Sequence, residues 1–149
     1  MELNTLQAAL RLVGSTPGYI EVGMALAQLL SDKRIRFDPN LEDRAQTALT
    51  GIITLGPEAT ESSPLSLAQT LVHEHFHTQQ NPLMKTVSFW SGVATKSNVM
   101  KRYEEPAYRA AYDFLEAVKQ AHPALAEEAE AEQMAVRQVF AEGFDGDLV

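Results

Sequence analysis

The chain has 149 residues, 45% of them hydrophobic and 21% charged, with a formal net charge of −8 and no cysteine. That length predicts one domain, 1–149, with a single core. The acidic balance, with basic residues scattered in short groups such as "DKRIR" and "MKRY", argues against nucleic acid as a partner, because phosphate binding needs a basic face. Disulfides, thiol catalysis and cysteine-ligated zinc are excluded.

Along the chain, "NTLQAALRLV" carries apolar residues at helical spacing and stops at the breaker cluster "GSTPG". "YIEVGMALAQLLSD" predicts a second helix, with Gly23 its weak point. "RIRFDPN", residues 34–40, reads as a short strand closed by a proline turn, and "ALTGIITLGPE" as a second strand bounded by Gly56-Pro57. The two are expected to pair, with "NLEDRAQT" between them as a loop or short helical turn. "ATESSPLS" supplies a helix start: Ser63 can cap it and Pro64 can occupy its first turn. That helix runs to Asn81-Pro82, where the proline enforces a stop.

Residues 82–100 form a mixed connector in which Trp90 is expected in the core. A helix resumes near Tyr103 and stops at Pro123; the last, "ALAEEAEAEQMAVRQVFAE", ends at Gly143 with its Glu-rich side in solvent. The fold class is therefore α+β, mostly helical, with a small β-sheet or hairpin upstream of the third long helix. The start of the chain lacks a basic segment followed by an apolar core, and no run of about 18 apolar residues occurs. Neither signal peptide nor membrane span is expected, and the cytoplasm is the default location.

The chemistry concentrates in "LVHEHFHTQQ", residues 71–80. On a strand, His73, His75 and His77 would share one face. On a helix only His73 and His77 are neighbours, and the segment becomes H-E-x-x-H. On a helical wheel, Leu65, Leu67, Ala68, Leu71, Val72 and Phe76 fall on one arc and Ser66, Gln69, Thr70, His73, Glu74 and His77 on the other. Neither strand face is cleanly apolar, and the uninterrupted pattern is too long for a typical strand. The segment is read as a helix, and His75, in its apolar arc, as a packing imidazole bonded to backbone.

Two histidines at i and i+4 can reach one cation. Zinc lowers the pKa of a bound water to about 7, and Glu74 stands close enough to take its proton and return it to a leaving amine. A third ligand is expected from a carboxylate of "KRYEEPAYRAAYDFL". Pro106 fits the first turn of a helix, which puts Glu104 and Glu105 at its N-terminus, where the macrodipole favours an ionised acid. His122, before Pro123, is read as a helix-terminal residue.

Together these residues resemble the zincin metallopeptidases of the gluzincin type over roughly residues 35–120. There, a glutamate on a later helix, often in an E-x-x-A pattern, completes the zinc site. "YEEPAY" matches with Glu104 and Ala107, so the resemblance implies His73, His77 and Glu104 as zinc ligands, Glu105 in reserve, Glu74 as general base and a peptide or protein as substrate. It also implies that "GIITLG" is the edge strand that pairs with an extended substrate. The H-x-x-Q continuation, His77 to Gln80, recurs in small bacterial proteins of this general kind. The metzincin continuation G-x-x-H is absent; "TQQNPL" stands in its place. Zincins usually add an oxyanion-stabilising Tyr or His; Tyr103, Tyr108, Tyr112 and His122 are candidates, and Tyr108, one turn after Glu104, is preferred. Two other readings of the same residues are a non-catalytic, metal-stabilised binding module and a non-haem Fe(II) site.

Overall fold

Helix α1 (Leu3–Gly14) turns one apolar stripe inward, burying Leu6, Ala9 and Val13. It is followed by α2 (Ile20–Ser31), which buries Gly23 and Leu26. The computed structural model describes residues 3–80, 98–144 and 146–148 of the chain; the expectation for Trp90 lies outside the described residues. Gly23, unfavourable for a helix, has a tertiary reason. A Cβ there would stand 2.7 Å from the Cα of Gly14, so the glycine lets the two helices touch backbone to backbone.

Three short strands follow: β1 (Ile35–Phe37), β2 (Ala45–Thr47) and β3 (Ile53–Leu55). The sheet order is β1-β3-β2, with β1 parallel and β2 antiparallel to β3. The expected pairing of β1 with β3 is present. The expected edge position of "GIITLG" is not: β3 is the central strand, with Ile53 and Leu55 fully buried. Among the described residues the edge strands are β1 and β2, and β2 lies inside the segment read as loop or helical turn. Its sequence, Ala-Gln-Thr, carries no apolar alternation because an edge strand half in solvent requires none. Residues 48–52 join β2 to β3; Ala48 N–H donates to the Ile52 carbonyl, and Gly51, at φ 84°, supplies the left-handed residue that the turn between them needs.

After the single turn α3 (Pro57–Thr60) comes α4 (Pro64–Gln79). Its start is as read from the sequence: Ser63 Oγ accepts from Ser66 N–H at 3.2 Å and Pro64 occupies the first turn. Its surroundings differ from the two-faced wheel. Every residue from Leu65 to Val72 is buried, as are Glu74 and His77. The polar arc is accommodated by partners rather than by water. Arg44 Nε donates to Thr70 Oγ1 at 2.6 Å and its guanidinium also reaches Ser66, whose hydroxyl donates to Glu132 at 3.2 Å. Buried hydroxyls held this way escape the cost of an unmade bond.

Helix α5 (Asn98–Ala121) crosses α4, and α6 (Ala126–Phe144) packs on α5 after a 3-10 turn at Pro123–Leu125. Here the placement of Pro106 in a first turn is overturned: the helix begins at Asn98 and runs through the proline. An interior proline costs about 3 kcal/mol. The stripe Ala107, Ala111, Phe114, Leu115 and Val118 outweighs that, since fully burying a large apolar side chain contributes roughly 1.5–3 kcal/mol. Exposed Glu127, Glu128 and Glu130 of α6 bear out the solvated acidic side. One cluster of buried apolar side chains extends from Leu6 to Leu148. The architecture is α+β and mostly helical, with a small mixed sheet before the histidine-bearing helix.

Candidate metal centre

Because α4 is a helix, His73 and His77 lie one turn apart, and their Nε2 atoms are 3.2 Å from each other. Helix α5 brings Glu104 against both: Oε1 is 3.0 Å from His77 Nε2 and Oε2 is 3.3 Å from His73 Nε2. These three residues offer donor atoms within 4.8 Å of one another. The side chains are largely shielded, with exposures of 15% for His73, 4% for His77 and 18% for Glu104. Buried Glu74 completes the arrangement, and its Oε2 has no hydrogen-bond partner among the described residues.

Electrostatics follow from this crowding. Burial raises the pKa of Glu104, but hydrogen bonds from His73 and His77 and their charges outweigh burial and bring it down to about 2. For His77, burial acts downward, and the bond and charge of Glu104 reverse it, leaving the imidazole above its ordinary value. Glu74 is pushed up, first by burial and further by Glu104, with His73, His77 and Thr47 offsetting part of the rise. Carboxylate ionisation at Glu104 thus comes from the histidines. The helix dipole is not its source, since Glu104 stands in the second turn of α5.

Aromatic rings fix the imidazoles. Tyr103 stacks on His77 at 4.5 Å between centroids, and Tyr108 meets His73 edge-on at 4.6 Å. Tyr108 is in turn backed by Phe140 and Phe144. Burial, then the charges of Glu104 and Glu74, push both phenols up to about 12. Each therefore keeps its proton at neutral pH and can donate a hydrogen bond. The other two oxyanion candidates stand elsewhere: Tyr112 packs against the core cluster, and His122 Nε2 lies 3.3 Å from the hydroxyl of Thr16.

Glu105 is turned away and pairs with Arg109 at 3.4 Å. With Phe76, Arg102 and Pro106 it lines an open hollow of about 420 Å³ that contains none of the three donors. His75 is half-buried and outside the cluster, as read, and burial lowers its pKa.

Two contributors escaped the sequence reading. Gln80, noted only as part of H-x-x-Q, bonds His77 Nδ1 at 2.6 Å. Thr47 of β2 donates to the Glu74 carbonyl at 3.2 Å, so this edge strand of the sheet abuts the site. Ile53 N–H and the Leu55 carbonyl bond toward the β1 side. Their β2 partners Thr47 and Ala45 are thus non-hydrogen-bonded pairs whose main-chain groups face the outer edge. The only local signal for Thr47 is its β-branched side chain, which is too weak to single it out.

Compared with protein-family models, with curated proteins and with solved structures, the chain matches none. Among the described residues, no helix is long and apolar enough to cross a membrane.

Proposed function

We propose that His73, His77 and Glu104 hold a zinc ion and that the protein is a zinc-dependent metallopeptidase with Glu74 as its general base. The observation that carries this is the convergence of three donors beside a buried carboxylate oxygen that lacks a partner among the described residues. In the tautomer that ligation needs, neutral with the proton on Nδ1, the imidazoles can no longer donate to Glu104, and the facing Nε2 lone pairs and carboxylate oxygens would repel one another at 3.0–3.3 Å. A cation among them removes that repulsion. Four donors in a tetrahedron around zinc are separated by roughly 3.3–3.4 Å, given bond lengths of about 2.0–2.1 Å. The two imidazole Nε2 atoms, 3.2 Å apart, come close to such an edge, and one Glu104 oxygen lies within 4.8 Å of both.

When bound, zinc would act as a Lewis acid and make hydroxide available near pH 7. Glu74 accepts a proton from the attacking water and delivers it to the leaving nitrogen. Its raised pKa suits both halves of that transfer. Tyr108 or Tyr103, protonated at neutral pH, supplies a donor to the developing oxyanion. The outward main-chain groups of Ala45 and Thr47 offer an extended peptide a strand to pair with; β2 takes the role expected of "GIITLG".

Metal analysis after zinc loading and dialysis tests the proposal: one zinc per chain is expected, lost in His73→Ala and His77→Ala. A wild-type chain that retains no zinc overturns it, and one that selects iron from mixed metals favours the Fe(II) alternative.

A further inference from the structure

Gln80 caps the C-terminal end of α4 and makes two side-chain bonds. Its Oε1 stands 2.6 Å from His77 Nδ1 and its Nε2 donates to the main-chain carbonyl of Tyr103 at 2.8 Å. The second bond decides the first. A carbonyl oxygen can only accept, so the amide nitrogen must face Tyr103 and the amide oxygen must face His77. An amide oxygen also only accepts, so His77 carries a proton on Nδ1. Neutral His77 is then left with its lone pair on Nε2, the atom that faces His73 and Glu104.

We infer that Gln80 is a positioning residue for the metal centre, setting the His77 tautomer while tying the end of α4 to α5 one residue before Glu104; this rests on the zinc reading above. Glutamine suits both tasks together. An ionised glutamate could accept from Nδ1 but could not donate to Tyr103, and it would add a negative charge beside Glu74 and Glu104. Leucine could do neither. Tyr103 stacks on the same imidazole that Gln80 grips by its edge, so one glutamine aligns the ring and its stacking partner. Partners of this kind typically change metal affinity 10- to 100-fold when removed.

The test compares wild-type protein, Gln80→Leu and Gln80→Glu, using zinc alone as the probe. Affinity is read by competition with a chromophoric chelator, and the tautomer of neutral His77 by imidazole nitrogen chemical shifts in the metal-free protein. Wild type is expected to carry the neutral-form proton on Nδ1. Gln80→Leu is expected to bind zinc roughly 10- to 100-fold more weakly and to lose that tautomer preference. Gln80→Glu, which keeps the acceptor, is expected to recover much of the affinity, and it serves as the comparison if the leucine variant does not fold. Zinc binding by Gln80→Leu at wild-type affinity, or neutral wild-type His77 protonated at Nε2, overturns the role of Gln80 alone. A wild-type chain that takes up no zinc overturns the metal centre itself and the positioning role with it.

Discussion

His77 and Glu104 meet at 3.0 Å across the α4–α5 seam, 27 residues apart in the chain. The contact joins the helix that presents two imidazoles to the helix that presents a carboxylate. Whatever fills the space between them therefore acts on both the chemistry and the packing.

Removing metal should destabilise the protein. A ligand at about 1,000 times its Kd stabilises the folded state by about 4 kcal/mol. Chelation is expected to lower Tm by several degrees in differential scanning calorimetry, with excess zinc restoring it. A His73→Ala/His77→Ala double variant should show no zinc-dependent shift. An equal shift in that variant would place the stabilising metal elsewhere.

Glu74→Gln separates binding from catalysis. The variant should retain one zinc per chain and lose about 100-fold or more of any peptide cleavage, the lower range for loss of a general base. It should also raise the Tm of the metal-free protein at pH 7. The folded-state pKa of Glu74 is raised, so ionisation above the ordinary carboxylate range costs stability, and a neutral amide avoids that cost. Undiminished cleavage by this variant would refute the assigned role.

Acid titration of the metal-free protein addresses Glu104. Its pKa falls from 4.5 to about 2 on folding. The stabilisation this provides is complete above the unfolded value and disappears as pH falls through the folded one. Wild type should lose stability relative to Glu104→Gln between about pH 4.5 and 2. Parallel stability curves for the two over that interval would show that Glu104 is not held by the histidines.

Gly23→Ala sets local preference against packing. Alanine favours a helix interior by about 1 kcal/mol. Its Cβ, however, would lie 2.7 Å from the Cα and 2.8 Å from the N of Gly14, neither of which is a flexible side-chain end. Overpacking of this kind costs roughly 1–3 kcal/mol. Net destabilisation in urea denaturation is therefore expected, and a stabilised variant would show that α1 and α2 separate at little cost.

Local chemistry was enough to place α4 and its histidine pair. Ser63 and Pro64 act within one turn, and the i, i+4 spacing of His73 and His77 has one geometric meaning once the segment is helical. The buried stripe of α1 was equally legible, since a periodic pattern needs no distant partner. The choice between Glu104 and Glu105 could not be derived from spacing alone. It depends on the rotation of α5 about its own axis, which the packing of Ala107, Ala111 and Phe114 sets. Pro106 misdirected the helix start because the cost of an interior proline is local while the burial that exceeds it is not. Strand β2 and the bond of Gln80 to Tyr103 likewise arise from contacts between distant segments. Sequence periodicity determined which residues share a face; tertiary packing decided which faces meet.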